Sequence, residues 1–137
     1  MLKLEIPEYI IKDMLEQARE EAPIEACGML AGDNGRVEKF YKMRNSEQRR
    51  DHFMMSPEEQ FAVVKDIRSV SLEMLAIYHS HPETPARPSD EDVRFAVTPG
   101  VIYVILSLMD NNPVVKGFRI ENGSINELPV TIVEDIK

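Results

Sequence analysis

The sequence is poor in several features that mark particular classes of protein. It contains one cysteine, Cys27, so an intramolecular disulfide is impossible and a reducing cytosol is the simplest compartment. The longest nearly apolar run, Val101 to Met109, is about half of what a membrane span needs. The first residues lack the apolar stretch and cleavage site of a signal peptide. We therefore expect a soluble, cytoplasmic protein with no membrane contact.

Basic residues are scarce relative to acidic ones. The 137 residues include 16 Lys and Arg against 24 Asp and Glu, which gives a formal net charge of −8. Non-specific binding to a phosphate backbone needs clustered basic side chains, so we do not expect nucleic acid as a partner. Apolar residues make up 43% of the chain, which suits one compact domain over residues 1–137 and leaves little room for a second.

Hydrophobic periodicity and turn signals predict an α/β domain in which helices pack on a mixed sheet. The expected strands cover residues 2–6, 27–31, 36–43, 52–55, 74–78, 101–108, 114–120 and 124–133. Asp33-Asn34-Gly35 predicts a hairpin turn between the second and third of these.

Three helices are expected between the strands. The first opens at Pro7 and must end before Pro23. The second begins at Ser56, with Pro57 in its first position and Glu59 completing a capping box. Its predicted buried face carries Phe61, Val64 and Ile67. The third, a short helix, runs from Ser89 to about Ala96.

Two of the three histidines, His79 and His81, end a predicted strand. Residues two apart on a strand point to the same face, so both imidazoles can bind one metal ion. The following proline-rich loop brings in Asp92 as a third ligand. Three protein ligands of this N, N, O type leave one tetrahedral position for water, which is typical of a catalytic zinc. Magnesium would prefer more oxygen ligands.

Each part of this pattern also has a simpler interpretation. Ser89-x-x-Asp92 is what a helix N-cap with an acidic third residue looks like. Two histidines at a strand end are, alone, more often polar surface. Their conjunction favours a metal site, and a cap at Ser89 is compatible with it because the cap rigidifies the turn that presents Asp92.

The segment from His79 to Asp92 closely resembles the signature of the JAMM (MPN-plus) metalloprotease family. It reads His-Ser-His-Pro, then a spacer, Ser89, two residues and Asp92, with no signature position missing. Upstream, the segment 23–28 resembles the one that carries the glutamate of the family. The resemblance is to a small bacterial-type member and implies a JAMM/MPN-like fold, related to the cytidine deaminase-like fold.

The resemblance also implies a mechanism. One zinc ion per chain is held by His79, His81 and Asp92. Glu25 acts as general base and then as general acid. Ser89 donates a hydrogen bond to the tetrahedral oxyanion.

The small prokaryotic members of this family are thought to act on ubiquitin-like sulfur-carrier proteins. The resemblance therefore implies a peptidase or isopeptidase acting at the C-terminus of such a carrier. The alternative is a module that binds a ubiquitin-like protein without cleaving it. A zinc deaminase would need His-x-Glu with a downstream Pro-Cys-x-x-Cys, and the chain has no such pair of cysteines.

Several other residues have open roles. Arg87, in the loop between the ligands, is a candidate for gripping the carboxylate of a leaving amino acid, although a solvated loop arginine is the simpler interpretation. Arg44, Arg49 and Arg50 could meet an acidic carrier from a second loop. We expect Cys27 to be a small buried residue, in preference to a ligand or redox group.

His52, the third histidine, lies far from the motif in sequence. A surface or strand-packing role is expected for it.

Overall fold

The computed structural model describes residues 3–135, and its described strands form one mixed sheet with the order β7-β6-β5-β4-β2-β3-β1-β8. The strands are β1 (Leu4–Pro7), β2 (Cys27–Asp33), β3 (Arg36–Met43), β4 (Glu73–His81), β5 (Ile102–Ser107), β6 (Val114–Glu121), β7 (Ser124–Leu128) and β8 (Val130–Val133). The helices are α1 (Glu8–Glu21), α2 (Pro57–Ser69) and α3 (Asp90–Arg94). Leu2, where we expected the first strand to begin, lies outside the described residues.

The centre of the sheet brings together segments that are distant in sequence. β2 lies antiparallel between β3 and β4, and β4 pairs with β5 in parallel. The β2–β3 hairpin turns at Asn34 and Gly35, whose φ values are 54° and 81°. Positive φ at both central residues is what a two-residue hairpin of this kind requires. The parallel β4–β5 connection contains the proline-rich loop and α3.

The two faces of the sheet are covered differently. On one face, the buried Tyr78 of β4 donates a hydrogen bond from its hydroxyl to the Met14 carbonyl of α1, over 3.2 Å. Side chains alternate along a strand, so Ile77, His79 and His81 share the opposite face. The carboxyl end of β4 therefore presents both imidazoles on the face of the sheet opposite α1.

The expected strand at 52–55 is not formed. The backbone groups that would pair with a neighbouring strand are bound by the side chain of Asn45 instead. Asn45 Nδ2 donates to His52 O over 3.0 Å, and Asn45 Oδ1 accepts from Met54 N over 3.2 Å. Ser46 N also donates to Met54 O over 2.8 Å. The segment is consequently an ordered loop.

The buried face of α2 is rotated from the expected one. Phe61 is 72% exposed, whereas Ile67 is buried and Val63 packs against a cluster of buried methionines. Ser56 accepts from Glu59 N as predicted, over 3.2 Å. The predicted capping box is wrong, however, because the Glu59 carboxylate accepts from Arg44 N over 3.1 Å.

The expected strand 124–133 is divided into β7 and β8. Pro129 separates them, and a proline has no N–H with which to continue a ladder. β7 pairs with β6, while β8 crosses to the other edge of the sheet and pairs in parallel with β1. The third helix is also shorter than expected and ends at Arg94. Among residues 3–135, no helix has both the length and the apolar character needed to cross a membrane.

Candidate metal centre

His79, His81 and Asp92 converge at the carboxyl end of β4. The Nε2 atoms of the two histidines lie 3.1 Å apart. Asp92 Oδ2 lies 3.2 Å from the Nε2 atom of His79 and 3.0 Å from that of His81. All three side chains are almost fully buried, with at most 7% of each exposed. The three form a group that could hold a metal ion.

The spacing of these donors fits a tetrahedral zinc ion. Donor atoms bound to one such ion at about 2.0–2.1 Å lie about 3.3 Å from one another. The three observed separations, 3.0 to 3.2 Å, are close to that edge length. Two imidazoles and one carboxylate are also ligand types that zinc accepts, and they leave one position of a tetrahedron free.

The ring of His81 is held in the orientation that frees Nε2. Its Nδ1 atom lies 2.8 Å from the carbonyl oxygen of Pro85, so Nδ1 carries the proton and donates it to this bond. Nε2 then has its lone pair available for a cation. His79 is fixed by packing, because the ring of Phe53 stacks on it with centroids 4.6 Å apart. Burial lowers the pKa of His79, which favours the neutral form that binds metal.

Ser89 and Asp92 form the helix cap that their spacing predicts, and this cap is compatible with a metal site. Ser89 Oγ accepts from Asp92 N over 3.1 Å, and Asp92 Oδ2 accepts from Ser89 N over 2.9 Å, which is a complete capping box. Burial alone would raise the pKa of Asp92, but hydrogen bonds with His79 and His81 outweigh burial and lower it. The helix cap thus fixes an ionised carboxylate in front of the two imidazoles.

Glu25 lies two residues before the start of β2 and is 3% exposed. Cys27 pairs with His79, and Ser80 N donates to Ala26 O over 2.9 Å. This antiparallel register, continued by one residue, brings Glu25 to the level of His81. Glu25 Oε1 is buried and has no hydrogen-bond partner within residues 3–135.

Burial raises the pKa of Glu25 to about 9, and the negative charge of Asp92 acts in the same direction. Asp51 and Glu91 add smaller contributions of the same sign. Glu25 is therefore an acid whose proton affinity depends on the charge held at the metal centre.

Comparison with known proteins agrees with this arrangement. The family model of prokaryotic homologs of the JAB domain matches residues 7–121. The chain belongs to the prokaryotic JAB family. It is thus a small member of the JAMM metallopeptidases, and its mixed sheet with flanking helices is the fold of that class.

Two curated relatives and one solved structure are similar over most of this JAB-family chain. The CysO-cysteine peptidase of Mycobacterium tuberculosis is 35% identical over 128 residues, which cover 91% of this chain and 88% of the relative. The desampylase of Haloferax volcanii is 34% identical over 72% of this chain and 73% of its own length. The solution structure of a Desulfitobacterium hafniense protein matches with a TM-score of 0.89 at 40% identity, covering 98% of this chain and 95% of that one.

The arginines singled out in the sequence lie around the centre and not within it. Arg87 is exposed and lines an open groove together with Lys116. This groove is separate from the cavity that His79 and Asp92 line. Arg50 lies 3.9 Å from Glu83 and so joins the second loop to the ligand loop.

The backbone of Arg49 contacts Glu25, the predicted general base, because the carbonyl oxygen of Arg49 accepts from Glu25 N over 3.0 Å. Its side chain lies 3.3 Å from Asp51 Oδ1. Arg44 lines a separate cavity with Ser46 and Glu59.

Sequence patterns missed three residues beside the centre. His52 is buried, lines the same cavity as His79 and lies with its Nδ1 atom 3.1 Å from Glu91 Oε2. A surface role is therefore wrong for His52, and so is packing within a strand. Phe53 stacks on His79, and Asn45 donates to Glu25 O over 3.0 Å.

No periodic signal identifies these three residues, because the loop that carries them is organised by side-chain hydrogen bonds. A lone histidine, phenylalanine or asparagine in a polar segment has many possible positions. Cys27 is fully buried, as expected, and burial raises its pKa to about 12. Its thiol is outside the group that could hold a metal.

Proposed function

We propose that this protein hydrolyses a peptide or isopeptide bond at the C-terminus of a ubiquitin-like or sulfur-carrier protein, using one zinc ion per chain. The observation that carries the proposal is the triangle of donor atoms from His79, His81 and Asp92, each within 3.2 Å of the other two. The names of the two relatives, a CysO-cysteine peptidase and a desampylase, support cleavage of this class of bond.

His79, His81 and Asp92 would hold the zinc ion in this proposal. The chemistry supplied by the ion would be a lowered pKa of the attacking water and polarisation of the scissile carbonyl. The Pro85 carbonyl keeps the proton of His81 on Nδ1 and thereby keeps its Nε2 free for the ion. The Phe53 ring and the Ser89 cap restrain the other two ligands.

Glu25 is the general base and then the general acid. Its buried Oε1 atom, which has no hydrogen-bond partner among residues 3–135, accepts the proton of the attacking water and later delivers it to the leaving amine. A raised proton affinity lets Glu25 take the proton of the water and keep it until the leaving amine accepts it. A cation at Asp92 offsets the negative charge that helps to raise this pKa, so Glu25 ionises more readily when the centre is charged.

Ser89 stabilises the oxyanion of the tetrahedral intermediate. Its oxygen already accepts a hydrogen bond from Asp92 N, so the hydroxyl proton remains free to be donated. This donor is fixed in place before the reaction by the first turn of α3, as electrostatic stabilisation requires.

The test uses a ubiquitin-fold carrier protein that ends in Gly-Gly followed by one added residue. Protein purified without chelator should contain about one zinc per chain. The wild type should release the added residue, as measured by the intact mass of the carrier. The Glu25→Gln variant should bind the carrier but should not release the added residue. Equal release by both proteins would exclude the proposed mechanism. Binding by the wild type without any release would leave the chain as a binding module.

We propose that residues 1–137 form a single domain. The position of β1 beside β8 supports this, because strands from both ends of the described chain share one sheet. We also propose a cytoplasmic location, which the single, buried and unpaired Cys27 supports.

A further inference from the structure

A narrow cavity adjoins the metal centre, and His79 and Asp92 form part of its wall. Tyr103, Ile105 and Ile120 also line it and are at most 6% exposed. These three residues come from β5 and β6, so the sheet closes the inner end of the cavity. A group that extends from the metal centre toward the sheet must therefore end at these residues.

The outer part of the cavity is formed by more exposed residues. Phe95 is 49% exposed, and the side chain of Glu91 is 36% exposed. His52 lies between them, with its ring 5.3 Å from that of Phe95 and its Nδ1 atom 3.1 Å from Glu91 Oε2. Most of the lining is aliphatic or aromatic, so burial of an uncharged group is favoured there.

Two polar atoms of the lining have no hydrogen-bond partner within residues 3–135. They are His79 Nδ1 and Glu91 Oε2, both of which are buried. The contact between His52 and Glu91 is within ion-pair distance but lacks the geometry of a hydrogen bond. Buried polar atoms usually have a partner, so an occupant with a hydroxyl or thiol group would also be accommodated.

Charge restricts the occupant further. Glu91 and Asp92 both contribute carboxyl groups to the lining, and Glu91 lies outside the group that could hold the metal ion. The carboxylate of Glu91 would repel an acidic side chain that entered the cavity. The long side chain of a lysine or arginine would carry its charge past Glu91 to the apolar inner end formed by Ile105 and Ile120, where an unpaired charge is costly.

We propose that this cavity is the subsite for the side chain of the residue whose amine leaves, and that it selects a small, uncharged side chain. This inference rests on the proposed function. It deepens that function because a closed subsite fits a leaving residue that is joined through its α-amine and whose side chain ends in the cavity. The side chain of a lysine in an isopeptide bond continues into another protein and would not end there.

The experiment compares carriers that end in Gly-Gly followed by alanine, serine, cysteine, phenylalanine, glutamate or lysine. The readout is kcat/KM for release of the last residue by the zinc-loaded wild-type enzyme. We expect alanine, serine and cysteine to exceed the other three by about tenfold or more, the size of discrimination that a packed pocket supplies.

Two variants test whether the cavity is responsible. Ile120→Ala enlarges its inner end, and Phe95→Ala opens its exposed side without disturbing the core. Either variant should raise the kcat/KM for phenylalanine relative to alanine by about tenfold. Ile67→Ala is the matched control, because it removes the same atoms from a buried position on α2, outside the cavity. This control should keep the wild-type ratio.

The outcomes separate the two levels of inference. A wild type that releases every residue at a similar rate would overturn the subsite and leave the proposed function intact. The subsite is also overturned if the ratio shifts no more in Phe95→Ala than in Ile67→Ala. Since a ratio of two substrates is insensitive to the fraction of folded enzyme, instability of Ile120→Ala cannot imitate the expected shift. Absence of release from all six carriers would remove the proposed function, and the subsite with it.

Discussion

The Nε2 atoms of His79 and His81 lie 3.1 Å apart, and neither residue is more than 3% exposed. Two imidazole lone pairs at this distance repel each other unless a proton or a cation lies between them. Asp92 Oδ2 is within 3.2 Å of both nitrogens, and its negative charge attracts a proton or a cation to this position. The arrangement is therefore satisfied best when a positive charge occupies the centre of the three atoms.

The first prediction follows from this geometry. Either substitution, His79→Ala or Asp92→Ala, should abolish zinc binding when zinc is added at one equivalent per chain, because the two remaining ligands cannot hold the ion tightly. His52→Ala is the matched control: it removes a buried histidine nearby that contributes no donor to the group. It should keep about one zinc per chain. Metal analysis after gel filtration measures all three, and zinc retained by His79→Ala would refute the ligand assignment.

The second prediction separates proton transfer from metal binding. Glu25→Gln should keep zinc and fold but lose about two to four orders of magnitude in kcat, the usual contribution of a positioned general base. Glu21→Gln is the control, since Glu21 is another glutamate whose pKa burial raises, at the end of α1. Its kcat should be unchanged. A near-normal kcat for Glu25→Gln would remove Glu25 from the mechanism.

The third prediction concerns stability and pH in the metal-free protein. The folded-state pKa of Glu25 is about 9, well above its ordinary value of 4.5, so the native state holds a proton that the unfolded state releases. The free energy of unfolding should therefore fall as pH rises between these two values, by up to about 1.4 kcal/mol per pH unit from this group. Below pH 4.5 its contribution is fully retained.

Denaturant titrations of wild type and Glu25→Gln in chelator, at pH 5.5 and pH 8.5, test this sign. Glutamine cannot ionise, so the variant should lose less stability than the wild type between these pH values. An equal loss in the two proteins would show that Glu25 ionises normally in the fold.

The elements around this site could be predicted where the signal is local. The alternation that puts His79 and His81 on one face and the spacing that caps α3 at Ser89 both depend on neighbouring residues alone. The pairing of β8 with β1 could not be predicted in this way, since it joins Val130 to Leu4 across the whole chain.

The environment of Glu25 shows the same limit at the level of the site. Its position beside the predicted strand is a local property. Its burial depends on a loop whose conformation is set by Asn45, a buried asparagine that binds Glu25 O, His52 O and Met54 N at once. Such a hub has no periodicity. Its partners are specified by packing and not by sequence spacing.

The fourth prediction distinguishes the two roles of Ser89. Ser89→Ala should lower kcat by about two to three orders of magnitude through loss of the oxyanion donor. It should also cost about 1 kcal/mol of stability through loss of the cap. Ser56→Ala removes an equivalent N-cap from α2 and should lose a similar amount of stability with no change in kcat. If the two variants lose activity equally, capping alone accounts for Ser89.

The fifth prediction assigns the role of Arg87. Pro85 also lines the groove that Arg87 shares with Lys116, and its carbonyl oxygen accepts from His81 Nδ1, so the groove adjoins the loop that orients this ligand. A leaving residue whose side chain enters the cavity beside His79 must direct its carboxylate elsewhere, and a guanidinium can grip that group with two hydrogen bonds. Amidation of the added residue should therefore slow release by the wild type strongly and leave Arg87→Ala almost unaffected.

Arg94→Ala is the control for that comparison, because Arg94 is an exposed arginine on the neighbouring helix and should remain as sensitive to amidation as the wild type. The decisive quantity is the ratio of kcat/KM for the free acid to that for the amide, measured in each protein with one carrier. This ratio cancels differences in zinc loading and folding between variants. An unchanged ratio in Arg87→Ala would show that another cation binds the carboxylate, and Lys116 in the same groove would be the next residue to replace. The assignment of the zinc ligands would not be affected.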